Sequence, residues 1–167
     1  MSKCVLVIGM TDTGKSTIVK ELIENKKHLI YDVQGDWEAE GWYCWPDPGD
    51  RDGFFKYASD CSHCCIVCEE ATYYLGSRDY SKEAEKVVLS KIHRKNAVFL
   101  LYHGIESVNR KLYLYVDYVV LFQTGDDLDR IKKEHPKKLI DAHKRVNKKA
   151  ENNFHYHEIV QLKKQRK

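Results

Sequence analysis

Gly9-Met10-Thr11-Asp12-Thr13-Gly14-Lys15-Ser16, followed by Thr17, satisfies the pattern G-x-x-x-x-G-K-[ST] at every fixed position. Each fixed residue has a chemical reason. Glycines carry no Cβ, so successive backbone N–H groups can converge on phosphate oxygens. Lys15 is placed to bridge the outer phosphates, and the Ser16 hydroxyl to sit on Mg²⁺. An apolar run ends at Ile8 and a helix-like run starts at Lys15, so the loop opens a helix whose N-terminal dipole favours anions. Residues 9–17 are therefore the candidate cradle for a nucleoside triphosphate, with ATP and Mg²⁺ as the expected cofactors.

A second constellation lies at Cys64-Cys65-Ile66-Val67-Cys68-Glu69-Glu70-Ala71, an apolar run that ends in two consecutive carboxylates. At a strand tip, Glu69 can order the magnesium shell while Glu70 polarises an attacking water. That pairing favours hydrolysis. A kinase takes its nucleophile from its substrate and would leave Glu70 idle.

These residues need a scaffold that brings distant segments to one edge. Five short apolar segments, 4–8, 29–33, 64–68, 97–102 and 118–122, alternate with polar, helix-like stretches. This alternation predicts an α/β domain with a mainly parallel sheet whose strands are covered on both faces. Apolar positions at helical spacing predict helices over 16–24 and 81–95, and a long basic helix over 127–146 interrupted at Pro136. Residues 34–60 hold Gly35, Gly41, Gly49, Gly53, Pro46, Pro48, three tryptophans and the acids Asp47, Asp50 and Asp52. That composition predicts an irregular loop or cap. Residues 154–160 alternate as a last strand would, which suits an antiparallel edge. His155 and His157 then share one face and read as surface residues.

The chain has 167 residues, 43% hydrophobic and 32% charged, which fits one globular domain and excludes disordered or fibrous classes. Its longest apolar stretches, 5–8 and 97–102, fall far short of the ~20 residues a bilayer crossing needs. The first residues pass into a strand with no signal-peptide layout, so a cytoplasmic location is expected. Cys61, Cys64, Cys65 and Cys68 include a C-x-x-C spacing. Within a strand their side chains alternate between faces and cannot converge on zinc, so they read as core filler. The formal charge of +3 is unevenly placed: residues 130–167 carry a net +9 and the other 129 residues a net −6. A basic C-terminal region ending in the tail 163–167 suggests a polyanionic partner bound without sequence preference.

Taken together, residues 9–16, Tyr31-Asp32-Val33-Gln34-Gly35-Asp36-Trp37, residues 66–71 and the run Phe99-Leu100-Leu101-Tyr102-His103 resemble the FtsK/HerA group of P-loop ATPases, especially its small viral members that package or move DNA. The resemblance spans about residues 3–130. It implies an additional-strand P-loop NTPase fold: a mainly parallel central sheet flanked by helices, in one domain over 1–167, with the basic helix, C-terminal strand and tail at 130–167. It also implies DNA as the polyanion, further copies of the chain in a ring, capsid or other viral proteins as partners, and the host cytoplasm or the virion as location. Asp32, Gly35, Asp36 and Trp37 occupy the family's places after the second strand. Glu69 stands where the family usually has Asp, and His103 where its sensor strand commonly ends in Gln. His103 is thus placed to meet the γ-phosphate or the lytic water. Arg94 stands where the family often carries an arginine able to reach a neighbouring subunit's nucleotide, with Arg78 and Arg110 as rivals. The alternatives are a small P-loop kinase for a nucleotide or another metabolite, and a nucleotide-binding switch or virion component that does not hydrolyse.

Overall fold

In the computed structural model, which describes residues 2–163, six strands form one sheet in the order β2-β3-β4-β1-β5-β6. The strands are β1 (Lys3–Ile8), β2 (His28–Tyr31), β3 (Cys65–Cys68), β4 (Ala97–Tyr102), β5 (Tyr118–Leu121) and β6 (Glu158–Gln161). All neighbouring pairs are parallel except β5 and β6, where Tyr118 faces Gln161 and Leu121 faces Glu158. β4 lies between β1, which carries the glycine loop, and β3, which carries the paired acids. This is the additional-strand arrangement. Residues 164–167 of the expected basic tail lie outside the described residues.

Continuous apolar strands need cover on both faces, and β1 shows how the cover is divided. Cys4, Leu6 and Ile8 face a large core built with α3 (Arg51–Asp60), α5 (Lys82–Arg94), α6 (Leu128–Glu134) and α7 (Lys137–Ala150). Val5 and Val7 face a smaller core closed by Val19 and Ile23 of α1 (Lys15–Ile23) and by Trp37 of the short α2 (Asp36–Ala39). α5 begins where Ser81 accepts the Ala84 N–H at 3.2 Å and ends at Lys95 with φ 56°, close to its expected bounds. The basic helix breaks at His135-Pro136, as expected of a proline without an N–H to donate. On the β2 edge, Trp45 donates its N–H to the Ile30 carbonyl at 2.8 Å, so residues 44–45 cover an otherwise open strand.

Two expectations need correction. Residues 34–60 are not an irregular loop throughout, because they include α2 and the ten-residue α3. Asp50 supplies the N-cap, accepting the Gly53 N–H at 2.9 Å, so an acidic cluster read as loop is in part a helix start. Phe54, Phe55 and Ala58 then fall on one helical face and are buried. The last strand is also shorter than 154–160; it begins at Glu158, and His155 and His157 precede it. A further short helix, α4 (Thr72–Leu75), follows the paired acids.

If α3 is a core element, Phe54→Ala destabilises the protein by about 3–5 kcal/mol in urea unfolding. Tyr57→Ala on the exposed side, where the ring lies 5.4 Å from that of Trp45, costs about 1 kcal/mol. Equal effects from the two would place α3 on the surface.

Candidate active site at the carboxyl ends of the strands

The glycine loop leaves β1 at Ile8 and is pinned on both sides. Gly9 donates its N–H to the Tyr102 carbonyl of β4 at 3.0 Å, and Met10 to the Gln123 carbonyl at 2.9 Å. A Cβ on Gly9 would stand 2.6 Å from Phe122 Cβ and 2.7 Å from Thr13 Oγ1, so the loop can pass only without a side chain there. Asp12 and Gly14 take positive φ values of 63° and 100°, which turn the backbone into a concave nest. Thr13 Oγ1 and Lys15 Nζ both donate to the Met10 carbonyl at 2.8 Å, bracing the loop from within. Gly14 is the N-cap of α1 and supplies no side-chain cap, so the first helical amides face the loop's concavity. An open cleft of about 840 Å³ lies along this surface, lined by residues 12–18 and by groups from α1, α2, Phe122 just after β5 and the segment before β6.

Opposite the loop, at the end of β3, the Glu69 carboxylate accepts two hydrogen bonds on one oxygen. Ser16 Oγ donates at 3.0 Å and Trp37 Nε1 at 2.6 Å to Oε1. Burial raises the Glu69 pKa above its ordinary value, with Glu70 adding to the rise, while the bonds from Trp37 and Ser16 hold it down. Burial likewise lowers the Lys15 pKa, and the charges of Glu69, Glu70 and Asp12 counter it. Glu70 has φ 49°, an uncommon conformation for a non-glycine residue. Its Oε1 lies 2.7 Å from His103 Nε2 and 3.3 Å from Gln34 Nε2.

These residues fit Mg²⁺ and a triphosphate. A serine hydroxyl and a carboxylate 3.0 Å apart at a phosphate cradle suit a hard ion that keeps waters and takes its remaining ligands from phosphate. Among the described residues no group of three or more His, Cys, Asp or Glu is arranged to hold a metal on its own.

The structure thus brings together residues 9–17, Glu69, Glu70 and His103. It does not bring Arg94 to them. Arg94 ends α5 before β4 and pairs with Asp60 at 3.1 Å, so the six residues of β4, roughly 20 Å, separate it from the site of its own chain. Sequence reasoning missed four participants. The Trp37 indole N–H binds Glu69, and Gln34 reaches Glu70. His155 is exposed and His157 half-buried, as surface residues would be, but both precede the strand and border the open cleft.

Strand order, loop and acids define a P-loop NTPase fold of the additional-strand type, the fold that the resemblance to the FtsK/HerA group implied. No protein-family profile and no curated protein sequence matches the chain. Solved structures do. The genome-packaging NTPase B204 of Sulfolobus turreted icosahedral virus 2 superposes with a TM-score of 0.77 at 13% identity, covering 96% of this chain and 92% of that one. B204 of Sulfolobus turreted icosahedral virus, a DNA-packaging ATPase, gives 0.69 at 15% identity over 96% and 98%. The N-terminal domain of zonular occludens toxin from Neisseria meningitidis gives 0.55 at 12% identity over 98% and 96%.

The raised Glu69 pKa has a sign that can be tested. A folded state that raises a carboxylate pKa disfavours the ionised form relative to the unfolded chain, so stability is lost as pH rises above the ordinary carboxylate value. Glu69→Gln keeps an oxygen for Ser16 and Trp37 without the charge. Its melting temperature at pH 7 is expected to exceed that of the wild type in the absence of nucleotide, measured by calorimetry. A lower value would show that the charge stabilises the fold.

Proposed function

We propose that the chain is an ATPase that hydrolyses ATP with Mg²⁺ to drive DNA movement, as one subunit of a viral genome-packaging motor. The observation that carries this reading is the Ser16–Glu69 contact at 3.0 Å, with Glu70 and its partner His103 beside it. The likeness in fold to genome-packaging NTPases, one of them solved with AMPPCP, supports the same reading.

In this mechanism the loop amides and Lys15 bind phosphate oxygens, and Lys15 exchanges the Met10 carbonyl for them. Ser16 and Glu69 would hold Mg²⁺, which would supply neutralisation of the charge on those oxygens. Glu70 acts as the base. Both of its hydrogen bonds fall on Oε1, so Oε2 is the atom placed to orient a water and take its proton. His103, at the tip of the strand between loop and acids, is a positioning residue for that carboxylate. Arg94 can act only on a neighbouring copy, which makes a ring of subunits part of the proposal.

The DNA contact is assigned to α7. Leu139, Ile140, Ala142 and Val146 face the core, while Lys137, Lys138, Lys144, Lys148 and Lys149 are exposed. Each phosphate neutralised there adds a salt-sensitive, sequence-independent increment to binding.

Phosphate release with and without double-stranded DNA tests the reading. Lys15→Ala and Glu70→Gln are each expected to lower the rate by about 100-fold or more. Phosphate delivered to an added acceptor, and not to water, would instead identify a kinase. His103→Ala is expected to lower kcat about tenfold with KM unchanged, and His103→Gln to restore most of it, as befits a residue that only positions Glu70. The double variant Lys144→Glu/Lys148→Glu should keep the basal rate and lose the stimulation by DNA. Stimulation that survives would place the DNA contact elsewhere.

A further inference from the structure

The sheet order says which way round a nucleotide must lie. Glu69, Glu70 and His103 stand at the ends of β3 and β4, all on one side of β1, and mark where the reacting phosphate sits. The nucleoside must then leave the loop on the other side of β1, over the ends of β5 and β6. That side of the cleft is lined by rings. Phe122 follows β5 and is buried, and His157 lies against it with ring centroids 4.9 Å apart at 38°. His155 Nδ1 lies 3.2 Å from the Thr13 carbonyl, which ties the segment before β6 directly to the phosphate loop. An added Cβ on Gly14 would meet His155 Nδ1 and Phe122 Cε1, each at 3.6 Å, so both rings border the loop itself.

Resting on the phosphate-loop reading above, we infer that the segment before β6 is the nucleobase site: His157, backed by Phe122, stacks on the base, and His155 Nε2 faces the ribose. Trp37 does not compete for this role. It is 1% exposed, its N–H is committed to Glu69, and Lys20 covers its ring at 4.8 Å. Stacking on rings grows with the area of the base and does not read the exocyclic groups that separate adenine from guanine. The site therefore selects purine over pyrimidine nucleotides and accepts ATP and GTP alike.

Calorimetric titration of the full chain with Mg²⁺ and non-hydrolysable ATP, GTP and CTP analogues tests this, with inorganic tripolyphosphate as a probe of the loop alone. The two purine analogues are expected to bind within about threefold of each other, and the CTP analogue about tenfold more weakly. His157→Ala should weaken the purine analogues on the order of tenfold, His157→Phe should not, and neither should alter tripolyphosphate binding. Wild-type affinity for the ATP analogue in His157→Ala, with tripolyphosphate still bound, would overturn the base site and leave the loop reading intact. Failure of the wild type to bind tripolyphosphate would overturn the loop reading, and the base site with it.

Discussion

The site depends on one buried carboxylate, Glu69. Placing Glu69 out of water costs free energy unless its lone pairs are met, and the donors that meet them come from two other parts of the chain. Ser16 comes from the first turn of α1 and Trp37 from α2, and both reach the same oxygen. Trp37 is itself held by Asp32, whose carboxylate accepts the Gly35, Trp37 and Glu38 amides at 2.9, 2.8 and 3.2 Å. Glu69 therefore links three segments that have no local reason to meet: the loop helix, the turn after β2 and the end of β3. Any rearrangement that draws Ser16 toward a bound ion must also be felt at Trp37.

Spacing supplies the second constraint. Neighbouring strands lie about 4.8 Å apart, so one intervening strand sets the tips of β1 and β3 roughly 10 Å from each other. That gap is wide enough for a phosphoryl group and a water. β4 fills it from below, and His103 at its end contacts Glu70 across it. The left-handed backbone of Glu70 turns consecutive acids to different tasks: Glu69 toward Ser16, Glu70 toward His103. In extended geometry two neighbours would point to opposite faces of the sheet. The residue is held in this conformation by the Ala71 N–H, which bonds the Leu101 carbonyl of β4 at 2.9 Å.

Features fixed by local physics were legible in the sequence. The glycine loop imposes residue types at fixed spacing, and β4 was expected at 97–102 and is found at Ala97–Tyr102 because both of its faces are apolar. α3 was not read, although Phe54, Phe55 and Ala58 carried its period; Gly53 and the neighbouring acids masked it, and those acids belong to its cap. Ser16 and His103 were expected near the paired acids, but the bonds from Trp37 to Glu69 and from Gln34 to Glu70 were not. An indole N–H bound to a carboxylate 32 positions away is decided by how the turn after β2 folds, not by its composition. The same holds for His155, which is 142 positions from Thr13 and reaches it only because an antiparallel edge strand returns the chain to β5.

That returning edge also ties the basic helix to the sheet. α7 delivers the chain to β6, and Arg145 on it meets Glu158 in a two-pronged contact, the shorter bond 2.7 Å. Asn147 clamps the Thr124 backbone from both sides, accepting its N–H at 3.2 Å and donating to its carbonyl at 2.9 Å. One residue earlier, the Gln123 carbonyl holds the Met10 N–H of the phosphate loop. Two residues later, Asp126 caps the Ile105 and Glu106 amides just beyond His103, at 2.7 and 3.0 Å. Residues 123–126 therefore touch the loop, the chain leaving β4 and the lysine-bearing helix within four positions. Packed, hydrogen-bonded chain, and not a linker, therefore joins the lysine-bearing helix to the phosphate loop and to the end of β4.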